Sequence, residues 1–242
     1  MILETFEKHE GRYGYRRIHA ELKAQGYFIN HKKVQRLMQE LNLKCEKFVR
    51  KSRYKSYKGT VGKVAKNRLN RRFSTPHALQ KIVTDVTEFK CTDNEKLYLS
   101  PLMDLYNGEI IGFSISKGPT LEFVMASLNQ ALPVLQKGAN YRITIHSDQG
   151  WHYQMKQYRH ALQSRGIVQS MSRKGNCYDN SVMENFFGHL KSELLYLQEF
   201  KSMEHFKAEL IDYIDYYNHR RIKARLKGLP PALHRQQALL AA

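Results

Sequence analysis

The chain has 242 residues, enough for one well-packed domain with smaller appendages. Its 40 Lys and Arg stand against 22 Asp and Glu, and a net charge of +18 calls for a polyanionic partner. No apolar run approaches the roughly 18 residues of a spanning helix, residues 1–5 lack the basic and apolar regions of a signal peptide, and Cys45, Cys91 and Cys177 are too scattered for a disulfide framework or a zinc site. These features exclude a membrane protein or a disulfide-stapled secreted one, and place the chain in the cytoplasm.

Residues 1–43 read as a small helical domain. Ile18 and Leu22 form an apolar stripe ended by Gly26, and Asn30 is placed to cap a second helix with Val34, Leu37, Met38 and Leu41 facing inward. Two helices joined by a short turn suggest a helix-turn-helix, in which the outward residues Arg16, Arg17, Lys32, Lys33 and Arg36 would meet phosphates or bases. The bland alternative is a helical hairpin with a solvated basic face.

Residues 44–75 form a basic linker. Between positions 44 and 72 there are twelve Lys and Arg against the single acid Glu46, so this stretch supplies most of the net charge. Arg50, Lys51, Arg53, Lys55 and Lys58 are interleaved with Tyr54 and Tyr57, a pattern in which cations neutralise phosphates while rings stack on bases. A charge density this high repels itself unless a polyanion lies alongside; the bland alternative is an unstructured solvated linker.

Pro76 opens a core expected to run from 76 to 199. Lys81-Ile82-Val83-Thr84-Asp85-Val86-Thr87-Glu88-Phe89 alternates with period two and predicts one strand with Val83, Asp85 and Thr87 on one side. Residues 97–105 and 109–115 predict two more strands around the Tyr106-Asn107-Gly108 turn. Thr120 is placed to cap a helix through about Leu132. The β-branched run ending at Ile145 predicts a strand with Asp148 at its C-terminal tip, before Gln149-Gly150. A helix over about 154–165, stopped by Gly166, and a short strand over 167–171 follow. Met183, Phe186, Phe187, Leu190 and Leu194 recur at helical spacing and leave Glu184, Gly188 and Lys191 on an adjoining stripe. Ser202 is placed to cap a helix with Phe206, Leu210, Ile214 and Tyr217 inward, and a basic stretch from Lys223 to Lys227 leads into a short closing helix; 200–242 is thus a helical extension.

Asp85 on a strand, Asp148 at a strand tip and Glu184 on a helix offer three carboxylates with no Cys or His pattern nearby. Such a set suits hard divalent ions, Mg²⁺ or Mn²⁺, two of them for an in-line phosphodiester displacement. Singly, each acid reads better as a surface charge or a turn former.

Three segments carry a resemblance: Thr84-Asp85-Val86-Thr87-Glu88-Phe89; His146-Ser147-Asp148-Gln149-Gly150; and Ser172-Arg173-Lys174-Gly175-Asn176-Cys177 through Glu184-Asn185-Phe186-Phe187-Gly188-His189-Leu190-Lys191. Together they resemble the DDE transposases of the retroviral-integrase superfamily, and within them the OrfB catalytic product of bacterial insertion sequences of the IS-three family. Thirty-five residues separate Asp148 from Glu184, as that family requires. Lys191, seven after the glutamate, falls where the family keeps a basic residue that could bind the scissile phosphate. The resemblance implies an α/β ribonuclease H-like mixed sheet in the order βββαβαβα, with the first and fourth strands adjacent so that Asp85 and Asp148 meet. It also implies metal-dependent cleavage at element ends followed by strand transfer, with double-stranded DNA as partner, both terminal inverted repeats and target. A homo-oligomer on DNA, an upstream OrfA-type partner and a nucleoid location follow from the same resemblance. Two rivals are a ribonuclease H-like nuclease or resolvase, disfavoured because the first helix of the core offers only Glu122, and a truncated DNA-binding regulator of transposition.

Overall fold

The computed structural model describes residues 1–45, 62–90, 95–136 and 141–240. Arg50, Lys51, Arg53, Lys55 and Lys58, expected on DNA, and the rings of Tyr54 and Tyr57 lie outside the described residues. The chain divides into two compact units: one of Met1–Arg50, Leu190–Glu199 and Ile211–Ala242, the other of Lys51–His189 and Phe200–Leu210.

The second unit is a mixed sheet with helices. Its strands are β1 (Lys81–Thr84), β2 (Thr87–Lys90), β3 (Lys96–Asp104), β4 (Ile110–Ser116), β5 (Thr144–Ser147) and β6 (Val168–Met171). β3 pairs antiparallel with β1, β2 and β4, while β1–β5 and β5–β6 are parallel. The single strand expected over 81–89 is therefore two. Ile82 lies opposite Asp104 and Thr87 opposite Leu99, so the register is the same on both sides of the break and β1 and β2 lie end to end along β3. The break falls at Asp85, whose Oδ1 accepts the Val86 N–H at 2.8 Å and takes it out of the ladder. Pro101, opposite Asp85 in this register, has no N–H to offer in return.

The helix α4 (Leu121–Gln136) covers the sheet. Thr120 Oγ1 accepts the Phe123 N–H at 3.2 Å, the expected cap. The helix continues past Leu132 through Pro133, because Leu135 is fully buried in the core with Leu128, Ala131, Ile82, Leu102 and Ile145; that burial outweighs the lost hydrogen bond. Gly112 makes the close approach possible, since a Cβ there would stand 2.8 Å from the Ser127 carbonyl oxygen and 2.9 Å from the Ala131 nitrogen. The helix expected over 154–165 is also two: α5 (Trp151–Gln154) and α6 (Lys156–Gln163), separated by the extended Met155. Gln169 Nε2 donates to the Tyr153 carbonyl at 2.6 Å and ties α5 to β6 instead of letting the helix run on. The helix α7 (Ser181–Leu190) buries Met183, Phe186 and Phe187 as expected.

The first unit holds α1 (Ile2–Lys8), α2 (Tyr15–Ala24) and α3 (His31–Glu40), a π-helical turn at Lys191–Leu195, the C-terminal half of α8 (Met203–His219), and α9 (Pro231–Leu240). Gly26 adopts φ +89° after α2, and Asn30 Oδ1 accepts the Lys32 N–H at 2.8 Å to cap α3. Val34 and Met38 are buried as expected, whereas Leu41 is half exposed because it sits past the end of α3. The centre of this unit is a buried ion pair: Glu193 accepts from Arg221 Nε at 2.8 Å and Nη2 at 2.6 Å, and from the Tyr213 hydroxyl at 2.9 Å. Burial alone would raise the Glu193 pKa, but the Arg221 hydrogen bonds and charge outweigh it and hold the carboxyl down at about 2. Tyr13, fully buried on the opposite side of the sequence, accepts the Ile222 N–H at 2.8 Å and stacks on His9 at 3.8 Å.

Gly112→Ala forces α4 away from the sheet and lowers stability by roughly 1–3 kcal/mol, read as a lower urea midpoint with an unchanged slope. Glu193→Gln leaves the Arg221 guanidinium buried without its counter-charge and costs about 3–5 kcal/mol; Glu193→Asp, with the charge retained, loses less in the same thermal melt.

Candidate active site

Asp85 is the first residue after β1, and Asp148 the first after β5. These strands are parallel neighbours with Val83 opposite His146, and two residues further on the same register sets Asp85 beside Asp148. Parallel pairing thus delivers both acids to one edge of the sheet, at the C-terminal ends of the strands. Each is half buried and each holds its own backbone turn: Asp85 through the Val86 N–H, Asp148 by accepting the Gly150 N–H at 2.8 Å. Gly150 is required at this point, because a Cβ would stand 2.9 Å from Asp148 Oδ1. Glu184 lies on the first turn of α7, exposed to solvent.

The electrostatics of the three acids are linked. Burial, then the charge of Asp148, and more weakly that of Glu184, push the Asp85 pKa well above the ordinary carboxylate value, against the Val86 N–H that favours ionisation. Burial raises Asp148 as well, opposed by the Gly150 N–H, and raises Glu184. The Tyr153 phenol, fully buried behind Asp85 and Asp148, is pushed far up by burial and then by the two negative charges, so it stays protonated. Two acids that each disfavour the other's ionised form are a place where added positive charge is strongly stabilised.

Asn180, just ahead of α7, is buried and points its Nδ2 at the carbonyl of Thr84, the residue before Asp85, 3.4 Å away. Its Oδ1 is buried without a hydrogen-bond partner. Orphaned oxygen beside repelling carboxylates is the donor chemistry that a hard divalent cation satisfies. As they stand, no three Asp, Glu, His or Cys groups among the described residues converge closely enough to enclose an ion. The fit therefore rests on the chemistry of the donors.

Asp179 carries no exposed surface and is the hub that fixes this segment. It accepts from the Arg173 backbone N–H at 3.0 Å, from Arg173 Nε and Nη2 at 2.9 Å each, from Arg71 Nε at 3.0 Å and from Asn67 Nδ2 at 3.0 Å. Arg173 chiefly holds its carboxyl far below the usual range, against burial. The Asp179 carbonyl also meets His146 Nε2 at 3.0 Å, while His146 Nδ1 meets Ser170 Oγ at 2.8 Å. His146 is fully buried and burial pushes its pKa down to about 4, so at neutral pH it is an uncharged brace between β5 and the start of α7. Gln149 likewise donates to the Ser172 carbonyl at 2.9 Å. The sequence offered little sign of Asp179's role: an acid six residues after Arg173 in a Gly-containing loop is common, and its partners Asn67 and Arg71 are more than a hundred residues away.

Arg16, Lys32, Lys33 and Arg36 are exposed on α2 and α3. Arg17 is less so, its Nη1 lying 3.6 Å from Glu193. Lys191 begins the π-helical turn after α7, in the first unit, and is half buried.

This mixed sheet with its helices is the ribonuclease H-like integrase core, and residues 75–177 and 184–239 each match an integrase core domain while residues 1–52 match an HTH-like domain. The chain is 48% identical over 239 residues, 99% of its length and 83% of the other's, to "Putative transposase InsK for insertion sequence element IS150" of Escherichia coli K12. It is 34% identical over 232 residues, 96% of its length and 79% of the other's, to the transposase InsF for insertion sequence IS3A of the same organism. A chain of the simian T-cell lymphotropic virus intasome, solved in complex with PP2A regulatory subunit B56 gamma, superposes with a TM-score of 0.53 at 19% identity, over 89% of this chain and 69% of that one, and shares its fold. The chain belongs to the DDE transposases of the IS3 family. No helix among the described residues is long and apolar enough to cross a membrane.

Asp179→Ala strips the counter-charge from Arg71 and Arg173 and frees the segment ahead of α7. The expected loss is roughly 2–3 kcal/mol, with Asp179→Asn intermediate, measured by chemical denaturation.

Proposed function

We propose that this chain catalyses DNA transposition by metal-dependent cleavage at insertion-sequence ends and transfer of the resulting 3′-OH to target DNA, with Asp85, Asp148 and Glu184 as the catalytic acids. The observation that carries the reading is the equal register of Asp85 and Asp148 on adjacent parallel strands, with each acid's pKa raised. Family membership supports it, and it ranks above a hydrolytic nuclease or a regulator without turnover.

Asp85, Asp148 and Glu184 would hold Mg²⁺ or Mn²⁺, two ions in the full site. When bound, such ions supply a lowered pKa at the attacking oxygen and neutralise charge on the departing 3′ oxygen. Asn180 Nδ2 lies 3.4 Å from the Thr84 carbonyl at the end of β1, and its Oδ1, buried without a hydrogen-bond partner, would add a neutral oxygen donor next to Asp85. Asp148 is kept in place by the Gly150 N–H and Asp85 by the Val86 N–H, so each strand-borne acid is steadied by its own turn. In the first step water attacks the phosphorus at the element end and a 3′-OH leaves. In the second that 3′-OH attacks a target phosphodiester, the new bond forms as the old P–O bond breaks, and the proton of the attacking hydroxyl passes to solvent. One phosphodiester replaces another, so no nucleotide is hydrolysed.

Lys191 is assigned to the scissile phosphate, and Arg16, Arg17, Lys32, Lys33 and Arg36 to DNA along α2 and α3. Arg50, Lys51, Arg53, Lys55 and Lys58 are assigned to the backbone beside them. The working form is a homo-oligomer that pairs two terminal inverted repeats, acts at the nucleoid and works with an upstream OrfA-type partner.

With labelled DNA carrying the element's end and Mg²⁺ or Mn²⁺, the wild type gives joined products. Asp85→Asn, Asp148→Asn and Glu184→Gln each lower joining by at least about a thousandfold, a barrier increase of about 4 kcal/mol, while DNA binding in a gel shift is kept. Loss of binding in all three would make the acids structural and sink the assignment.

A further inference from the structure

The basic stretch at the C-terminus is built into the first unit in a way that its proposed α2 and α3 contacts do not explain. From residue 216 to 242 there are six Lys and Arg and no Asp or Glu. Three of the six, Lys223, Arg225 and Lys227, alternate along one short loop. The loop is closed by a bridge between Lys223 and Leu229, with the Lys223 N–H on the Leu229 carbonyl at 3.1 Å and the Gly228 N–H on the Lys223 carbonyl at 3.1 Å. Leu226 anchors it by burial, and Lys227 and Gly228 turn it with φ of +58° and +82°. Such a loop presents its side chains from a fixed frame.

Around that frame the positive charges outnumber the acid that faces them. Glu193 is already engaged by Arg221 at 2.6 Å, and Arg17 approaches the same oxygen at 3.6 Å. Arg221 and Lys223 both flank the Tyr217 ring, at 5.6 and 4.3 Å from its centroid, with Lys223 Nζ donating to the Tyr217 hydroxyl at 2.6 Å. Burial, then Arg225, Arg221 and Arg17, push the Lys223 ammonium well below its usual range, and Glu193 only partly opposes them. One carboxylate, Glu193, is thus shared by Arg17 and Arg221, with the Arg225 charge close by. Holding these guanidiniums close together is unfavourable in isolation and is relieved when an anion comes to the exposed ones.

We infer that the Lys223–Leu229 loop, with Arg17 and Arg221 behind it, is a preformed binding site for phosphates of the DNA backbone. The occupant is double-stranded DNA, because alternating cations on a fixed loop match repeated phosphates, and each phosphate neutralised releases counterions. The inference rests on the transposase reading for its ligand, and it adds a contact that reads no bases.

The test is the salt dependence of affinity of the full chain for a duplex. Arg225→Gln/Lys227→Gln changes two exposed residues, and Lys223→Gln is added in a triple variant; circular dichroism and the melting temperature report folding. Lys201→Gln/Lys207→Gln, also exposed, is the charge-matched control. The double variant is expected to reduce the slope of log K against log salt by about 1.8, from roughly 0.9 per phosphate, and to weaken binding at least tenfold at 0.1 M salt. The control keeps the wild-type slope. Wild-type binding with an unchanged slope in the double and triple variants, or an equal change in the control, overturns the loop as a site and leaves the transposase reading standing. A wild type that binds no DNA at all overturns both.

Discussion

The parallel pairing of β1 with β5 is the constraint on which the catalytic unit depends. It sets Asp85 and Asp148 at one register on neighbouring strands, and from there their repulsion cannot be relieved by moving one acid without slipping a strand. A slip of one residue would turn Ile82 and Ile145 out of the core. The hydrophobic interior therefore holds the two charges together, and each remains tolerable because it is half buried and accepts a backbone N–H of its own turn. The interruption between β1 and β2 belongs to the same arrangement: the N–H that leaves the ladder is the one that steadies Asp85.

Glu184 comes to this edge by a different route. It is carried on α7, and the position of α7 depends on the dipeptide Asp179-Asn180 before it. Asp179 binds the segment to Arg71, Asn67 and Arg173, its carbonyl meets the neutral His146 of β5, and Asn180 Nδ2 lies 3.4 Å from the Thr84 carbonyl at the end of β1. A buried ion pair is a weak source of stability compared with apolar packing but a strict source of geometry, since every donor must be matched. That strictness fixes the start of α7, the helix that carries Glu184. The three acids thus depend on hydrophobic registry for two members and on a polar hub for the third.

The first unit uses a similar device for another end. Segments from the two termini of the chain and from residues 190–199 meet around Glu193, Arg221, Tyr213 and Arg12, whose guanidinium donates to the Glu193 carbonyl at 3.1 Å and lies 4.8 Å from the Tyr216 ring. Arg12 also pairs with Glu10, as Arg221 does with Glu193. The rings of Tyr13, Tyr213, Tyr216 and Tyr217 are buried in the same unit.

Much of this was legible in the sequence because it depends on local chemistry. Period-two alternation marked the strands, Asn30, Thr120 and Ser202 marked helix starts that the structure caps through their side chains, and the apolar face of α7 followed from Met183, Phe186 and Phe187. The three acids were found by their setting on strand, strand tip and helix and by the family spacing; their catalytic role remains the proposal made above. What the sequence could not decide was long-range. The break at Asp85 falls where Pro101 of β3 lies opposite, the run of α4 through Pro133 depends on the burial of Leu135, and the split of α5 from α6 on Gln169, fifteen residues beyond Gln154. Arg17 reads as an outward cation until Glu193, far along the chain, is folded against it, and Asp179 reads as a loop acid until Asn67 and Arg71 arrive. Periodicity and capping are set by neighbours within a few residues, so the sequence by itself determines them. The choice of partner for a charge, or of where a ladder yields, is made by whatever the tertiary fold brings alongside.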